Sequence, residues 1–199
     1  MNANSERNEQ RPLGQYRPSL CFYHASPKGT GSAVKMQLHP AHDDTDGCVM
    51  LTIANQMAVG NPSGETPSYS RFDWENAICV KLDFGDLSHI LQVLRGECES
   101  VNDGKGLYHR SVRGSTNIRF GHMVEPVSGY LLDIYRKGNK GPDDETHARM
   151  LFGPSEGFGL CEALSASLLL VGFGIPMLVP HDTAAYKAAA RQLRNVAAA

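Results

Sequence analysis

A tyrosine, a histidine, a serine and a cation recur together in this chain. Tyr23-His24-Ala25-Ser26-Pro27-Lys28-Gly29 and Tyr108-His109-Arg110-Ser111-Val112-Arg113-Gly114 share the pattern Tyr-His-x-Ser-x-Lys/Arg-Gly. These side chains are suited to binding. Tyr23 and Tyr108 offer flat rings that can stack. Lys28 and Arg113 offer positive charge, and His24 and His109 can do either. Ser26 and Ser111 can hydrogen-bond the oxygens of an anion. Gly29 and Gly114 allow positive φ and a close approach of backbone to a ligand. The fitting ligand is therefore flat in one part and anionic in another.

The charge around both copies points the same way. From Gln10 to His42 there is no acid, but there are Arg11, Arg17, Lys28 and Lys35. From Gly104 to Val124 there is again no acid, but there are Lys105, Arg110, Arg113 and Arg119. Acids collect elsewhere: Asp43, Asp44 and Asp46; Asp83 and Asp86; Glu97, Glu99 and Asp103; Asp143, Asp144 and Glu145. The formal net charge is only −2, but segregation of this kind matters more to a polyanion than the total does.

Catalytic patterns fit less well. Gly153-Pro154-Ser155-Glu156-Gly157 matches a G-x-S-x-G nucleophile elbow between a strand and a helix. The parallel βα alternation such enzymes need is missing. No aspartate lies between Ser155 and the single later histidine, His181; the acids there are Glu156 and Glu162. Ser155 is better read as a helix cap. His39, His42, Asp43, Asp44 and Asp46 have neither zinc spacing nor a full calcium loop. Glu97, Glu99 and Asp103 read as an exposed helix exit rather than a two-metal site. No GxxxxGK[ST] loop is present. The expectation is a protein with no catalytic residue, metal or cofactor.

The elements that must carry the two loops form a repeating order. Residues 1–18 are polar and read as a disordered arm. Strands follow over "SLCFYHA", "SAVKMQLHP", "CVMLTIANQM" and "FDWENAICVKLDF", each with alternating or continuous apolar character. A Gly/Pro/Ser-rich loop from about 59 to 70 precedes the fourth. Asp86 is expected to cap a helix carrying Leu87, Ile90, Leu91 and Leu94 on one face, and Gly96 lies near its end. The cycle then restarts with "GLYHRSV", "TNIRFGHMV", "YLLDIYRK" and "HARMLF", followed by a long apolar helix from about Glu156 to Phe173. The predicted fold class is α+β: a duplicated ββββα unit, two four-stranded antiparallel sheets packed with two helices. Repeat 1 spans about 19–98 and repeat 2 about 104–176, inside a domain of 19–180. Residues 181–199 form an alanine-rich helix or tail. The two expected helix starts, near Asp86 and Ser155, lie closer together in sequence than the two loops do. That difference places an insertion in the first copy between loop and helix, where the Gly/Pro/Ser-rich stretch stands.

Bulk composition agrees with a globular protein. At 199 residues, 41% hydrophobic and 20% charged, the chain can bury a substantial core without staples. Five cysteines without a CxxC pair, and no basic-then-apolar leader, suggest a reduced, cytoplasmic setting. The greasy run Leu168 to Val179 is too short and too interrupted to span a bilayer, so no membrane partner is expected.

This arrangement resembles the Whirly fold, which mitochondrial guide-RNA-binding proteins share and to which PUR repeats and a class of transcriptional coactivators are related at half-length. The stretch Lys28-Gly29-Thr30-Gly31-Ser32-Ala33-Val34 is similar to the Lys-Gly-Lys-Ala-Ala-Leu segment of plant Whirly proteins, departing at Thr30 and Gly31. The resemblance covers about residues 19–176. It implies binding of single-stranded DNA or RNA across the sheets, with little sequence preference, by homo-oligomers. The residues suit that chemistry, since a single-strand binder needs cations for phosphates and flat side chains for bases. The candidate contacts are Tyr23, His24, Lys28, Lys35, Lys81, Tyr108, His109, Arg110, Arg113, Arg119, Tyr135 and Lys137. The alternatives are an assembly protein that uses the same sheets to bind protein and, with the least support, a small hydrolase using Ser155.

Overall fold

The computed structural model describes residues 19–40, 46–63, 66–112, 114–139, 141 and 144–173. The N-terminal arm, Arg113, the turn residues His42, Asp43 and Asp44, and the alanine-rich tail lie outside the described residues.

The first unit opens with Ser19–His24 (β1), Ser32–His39 (β2) and Cys48–Ala58 (β3), an antiparallel meander. Alternation sends Val34, Met36, Leu51 and Ile53 to one face and Lys35, Gln37, Met50 and Thr52 to the other. The expected fourth strand is broken. Arg71–Phe72 (β4) pairs with the far end of β3, and Ile78–Leu82 (β5) pairs with its near half. The interruption has a local cause. The Asp73 carboxylate accepts hydrogen bonds from both the backbone and side-chain amides of Asn76, folding 73–76 into a turn. The first sheet is thus five-stranded.

Phe84–Leu94 (α1) follows. Its N-cap is Asp83 rather than Asp86. Asp86 stands at the third helical position and completes a capping box. The Asp86 N–H donates to Asp83 Oδ1 at 2.9 Å, and the Asp83 N–H donates to Asp86 Oδ2 at 3.0 Å. The helix ends at Arg95, and Gly96 takes φ +73°.

The second unit has Leu107–Ser111 (β6), Gly114–Met123 (β7), Gly129–Gly138 (β8) and Glu145–Phe152 (β9), a four-stranded antiparallel sheet in sequence order. Pro154–Phe173 (α2) closes it. Register equates Tyr23 with Tyr108, Ala54 with Tyr135 and Cys79 with Arg149. The spacing between equivalent positions shrinks a little from the first pair to the second and much more from the second to the third. Most of the expected insertion therefore lies between β3 and β5, where β4 and the Gly/Pro loop are found.

The inner faces of both sheets bury Val34, Leu51, Ile53, Ile78, Ile118, Leu132, Ile134 and Phe152 against Leu87, Leu91, Leu160 and Leu164 of the helices. At about 25 cal/mol per Å² of apolar surface, each such side chain contributes about 1.5–3 kcal/mol. Gly157 lets α2 approach β8, because a methyl there would run into the Tyr130 ring. The sheets also meet edge to face. Ser32 Oγ donates to the Arg149 carbonyl at 2.7 Å, and Asn55 Nδ2 donates to the His147 carbonyl at 2.9 Å.

Counted from Pro154, α2 is long and apolar enough to cross a bilayer by length and composition alone. One stripe of it, Gly157, Leu160, Leu164 and Val171, is buried in the protein. The opposite face leaves Phe158 71% and Phe173 76% exposed.

Candidate nucleic-acid interface

The outer face of the second sheet is built in transverse rows. Register sets Arg110, Ser115, Lys137 and Glu145 side by side across β6 to β9. Tyr108, Asn117, Tyr135 and His147 form the next row. Arg119, Asp133 and Arg149 form the third, and Gly121, Leu131 and Leu151 the fourth. A row of rings and amides is thus flanked by cations on both sides. Tyr108 is 66% exposed, so its ring is free for a ligand rather than spent on the core. Glu145 orients part of this surface. It meets Lys137 Nζ at 3.6 Å, and its carboxylate beside Tyr135 raises the pKa of that hydroxyl.

Three hollows join along these rows. One of about 490 Å³ lies between the first repeated loop and sheet two, lined by Ser26, Thr30, Met123, Leu131, Arg149 and Leu151. Met123 and Leu131 continue into a second of about 280 Å³ with Arg119 and Asp133. Arg119 and Asp133 continue into a third of about 470 Å³ with Asn117, Tyr135 and His147. The result is a trough running from the first loop to the tyrosine row.

On sheet one, Tyr23 is 59% exposed and lies in a row with Ala33 and Ala54. Its ring centroid is 5.8 Å from that of Phe72 and 6.5 Å from that of Trp74. Lys35 Nζ sits 5.6 Å from the Trp74 ring, a cation–π pair. The turn after β4 thus carries Trp74 onto the outer face, making an aromatic platform with Tyr23.

Between Tyr23 and the trough stands the first loop, 25–31. Gln56, buried in β3, holds it. Gln56 Oε1 accepts the N–H groups of Ser26 at 2.7 Å and Gly31 at 3.1 Å. Ser26 Oγ accepts from the Lys28 N–H and from Thr30 Oγ1, both at 3.2 Å. Gly29 takes φ +72°, and Lys28 is exposed on the turn.

Several candidates are placed differently from expectation. His24 and His109 lie on the inner face and are engaged by carboxylates. His24 Nε2 donates to Glu156 Oε1 at 2.7 Å. His109 Nε2 is buried 3.3 Å from Asp86 Oδ2, without hydrogen-bond geometry. They brace helix starts rather than reach for phosphate. Ser26 and Ser111 organise their turns, Ser111 Oγ donating to the Gly114 carbonyl at 3.3 Å. Lys81 faces outward on β5, across from Met50 and Gln37, one row beyond Lys35. Tyr108, Arg110, Arg119, Tyr135 and Lys137 share the sheet-two face, with Tyr23, Lys28 and Lys35 on the sheet-one side. Ser155 stands at the second position of α2. The Glu156 carboxylate, rather than the Ser155 hydroxyl, takes the Gly153 N–H at 2.8 Å. Asn117, Asp133, His147 and Arg149 were missed as site residues. The alternation of "THARMLF" already put His147 and Arg149 on one face.

Comparison with solved structures decides the fold. WHY1 of Arabidopsis thaliana aligns with a TM-score of 0.62 at 12% identity, over 92% of this chain and 94% of its own. The chain has a Whirly-like fold. WHY3 of Arabidopsis thaliana aligns with a TM-score of 0.61 at 11% identity, over 79% of this chain and 89% of that one. The plant transcriptional regulator PBF-2 gives 0.61 at 14%, over 80% and 84%. No family model and no curated protein sequence matches the chain. The Whirly-like architecture is therefore visible in the backbone at identities where few side chains coincide.

Proposed function

We propose that this protein is a single-stranded nucleic-acid-binding protein, preferring DNA, that acts in replication or recombination without catalysing a reaction. The observation that carries the reading is the trough on sheet two. There an exposed row of Tyr108, Asn117, Tyr135 and His147 runs between the cationic rows of Arg110 with Lys137 and Arg119 with Arg149. Bases stack on the rings, each contributing about 1–3 kcal/mol, and phosphates meet the flanking cations. The Whirly-like fold supports the reading through the family resemblance. The grip is largely indifferent to sequence, because every base has a π-face.

The binding unit is a homo-oligomer. The exposed face of α2, with Phe158, Leu169 and Phe173, is covered by a second copy of the chain. Phe84 of α1, 49% exposed beside Gly172, extends the same apolar surface.

Fluorescence titration with oligo(dT) tests the reading. Affinity should fall linearly in log K against log salt, by about 0.7 per phosphate neutralised. Single-stranded DNA should bind more tightly than duplex of equal length, with single-stranded RNA as the third arm. No detectable binding at low salt overturns it.

A further inference from the structure

Among the residues lining the three hollows, cations and rings surround a single carboxylate, with Glu145 outside the lining beside Tyr135 and Lys137. Asp133 sits mid-row between Arg119 and Arg149 and lines the second and third hollows. Its side chain keeps 30% exposure. Oδ1 takes Nε2 of His147, which orients the group. An ionised carboxylate has about four acceptor positions, so one histidine leaves capacity in the hollow it lines. The register equivalent in sheet one is Thr52, so the feature belongs to the second unit alone.

A carboxylate repels a phosphate backbone. On an unpaired DNA strand, which lacks the 2′-hydroxyl, its partner must be a donor on a base edge. Guanine presents two adjacent donors, N1–H and the N2 amino group. Adenine and cytosine present one amino group beside an acceptor. Thymine and uracil present a single N–H between two carbonyls that a carboxylate repels. The hollow of about 470 Å³ has room for a base against Tyr135.

We propose that Asp133 makes this hollow a guanine-preferring subsite. The guanine N1–H and N2–H groups donate to the Asp133 carboxylate, the ring lies against Tyr135, and Arg119 and Arg149 meet the adjoining phosphates. The subsite rests on the single-strand binding reading and adds one preferred position to a grip otherwise indifferent to sequence.

The experiment uses labelled nine-nucleotide oligo(dT) with guanine, hypoxanthine, adenine, cytosine or thymine at the centre, read by fluorescence anisotropy at fixed salt. The guanine-centred strand should bind roughly five- to tenfold tighter than the all-thymine strand. Hypoxanthine, which lacks the N2 amino group, should fall between them. Asp133→Asn should shrink the guanine-to-thymine affinity ratio to below about twofold. A merely supporting role would weaken every strand by one factor and leave the ratio standing. Equal affinity for all five strands in the native protein overturns the subsite while leaving strand binding intact. So does a ratio that survives Asp133→Asn. Failure of every strand to bind would instead overturn the binding reading, and the subsite with it. The same series in oligo(U) distinguishes an RNA source of the guanine from a DNA one.

Discussion

His24 on β1 donates a 2.7 Å hydrogen bond to Glu156 in the first turn of α2. The equivalent histidine of the second unit, His109, lies 3.3 Å from Asp86 in the first turn of α1. Each histidine belongs to one unit and each carboxylate to the other. Both carboxylates stand at the third helical position, and both also accept the N–H of the residue before the helix. The repeated Tyr-His motif thus has two outputs. The tyrosine goes outward to the exposed face of its sheet, and the histidine goes inward to the start of the opposite helix, where negative charge is favoured by the helix dipole.

The His24–Glu156 bond should be measurable as a coupling energy. His24→Ala and Glu156→Gln should each lower unfolding free energy, and the double-mutant cycle should give about 1 kcal/mol of interaction, below the usual range for bonds to charged groups because both side chains are about one-third exposed. Additive single effects in urea denaturation would show that the pair is not coupled.

Asp86 carries a pH signature of opposite sign to an ordinary ion-paired acid. Burial raises its pKa above the usual 3.8. Between about 3.8 and that raised value the folded state binds more protons than the unfolded state, so stability falls as pH rises through the window. Asp86→Asn can still accept the Asp83 N–H and has no charge to bury. Its stability relative to the native protein should therefore rise as pH climbs from about 4 toward neutrality. Parallel pH–stability curves for the two proteins would contradict this.

The rings of the central row should be interchangeable with other rings but not with alanine. Tyr108→Ala and Tyr135→Ala should each weaken oligo(dT) binding by about 1–3 kcal/mol. Tyr108→Phe should bind nearly as the native protein, since the stacking face is kept. Native affinity in Tyr108→Ala would remove the row from the interface.

Cations should separate by their place relative to the trough. Arg119→Ala and Arg149→Ala should each reduce the salt slope by about 0.7. Lys81→Ala, on the outer edge of sheet one, should change it less. An equal loss at all three positions would mean that the surface acts as a diffuse positive field without a track.

The apolar face of α2 should govern assembly. Light scattering should find the native protein larger than a monomer, and Phe158→Asp with Leu169→Asp should shift it to a smaller species without unfolding it. A native monomer, or an unchanged size in the double variant, would rule out that face as the contact between copies.

Much of the fold was legible because strand alternation is local. Val34, Met36, Ile78 and Val80 declare their faces through their immediate neighbours, and the repeated loop pattern announced a duplication. The break between β4 and β5 was harder to read, since it depends on one Asp73–Asn76 turn within an otherwise strand-like run. The cap of α1 moved from Asp86 to Asp83 because two acids three apart can each cap, and only the box geometry separates them. The site was half legible. Outward tyrosines and arginines follow from alternation, but the inward engagement of His24 and His109 depends on helix starts supplied by the opposite unit, far from each histidine along the chain. Trp74 joined Tyr23 through a turn that no periodicity describes.

The reciprocal His–carboxylate braces have the logic of an isologous contact, in which residue i meets j and j meets i. Within a single chain that logic frees the two halves to differ. Tyr23 shares its row with Ala33 and Ala54, whereas Tyr108 shares its row with Asn117, Tyr135 and His147. A strictly two-fold homodimer presents the same surface to a polymer threaded in either direction. This molecule does not: its two outer faces differ, and a change on one is not copied onto the other by symmetry.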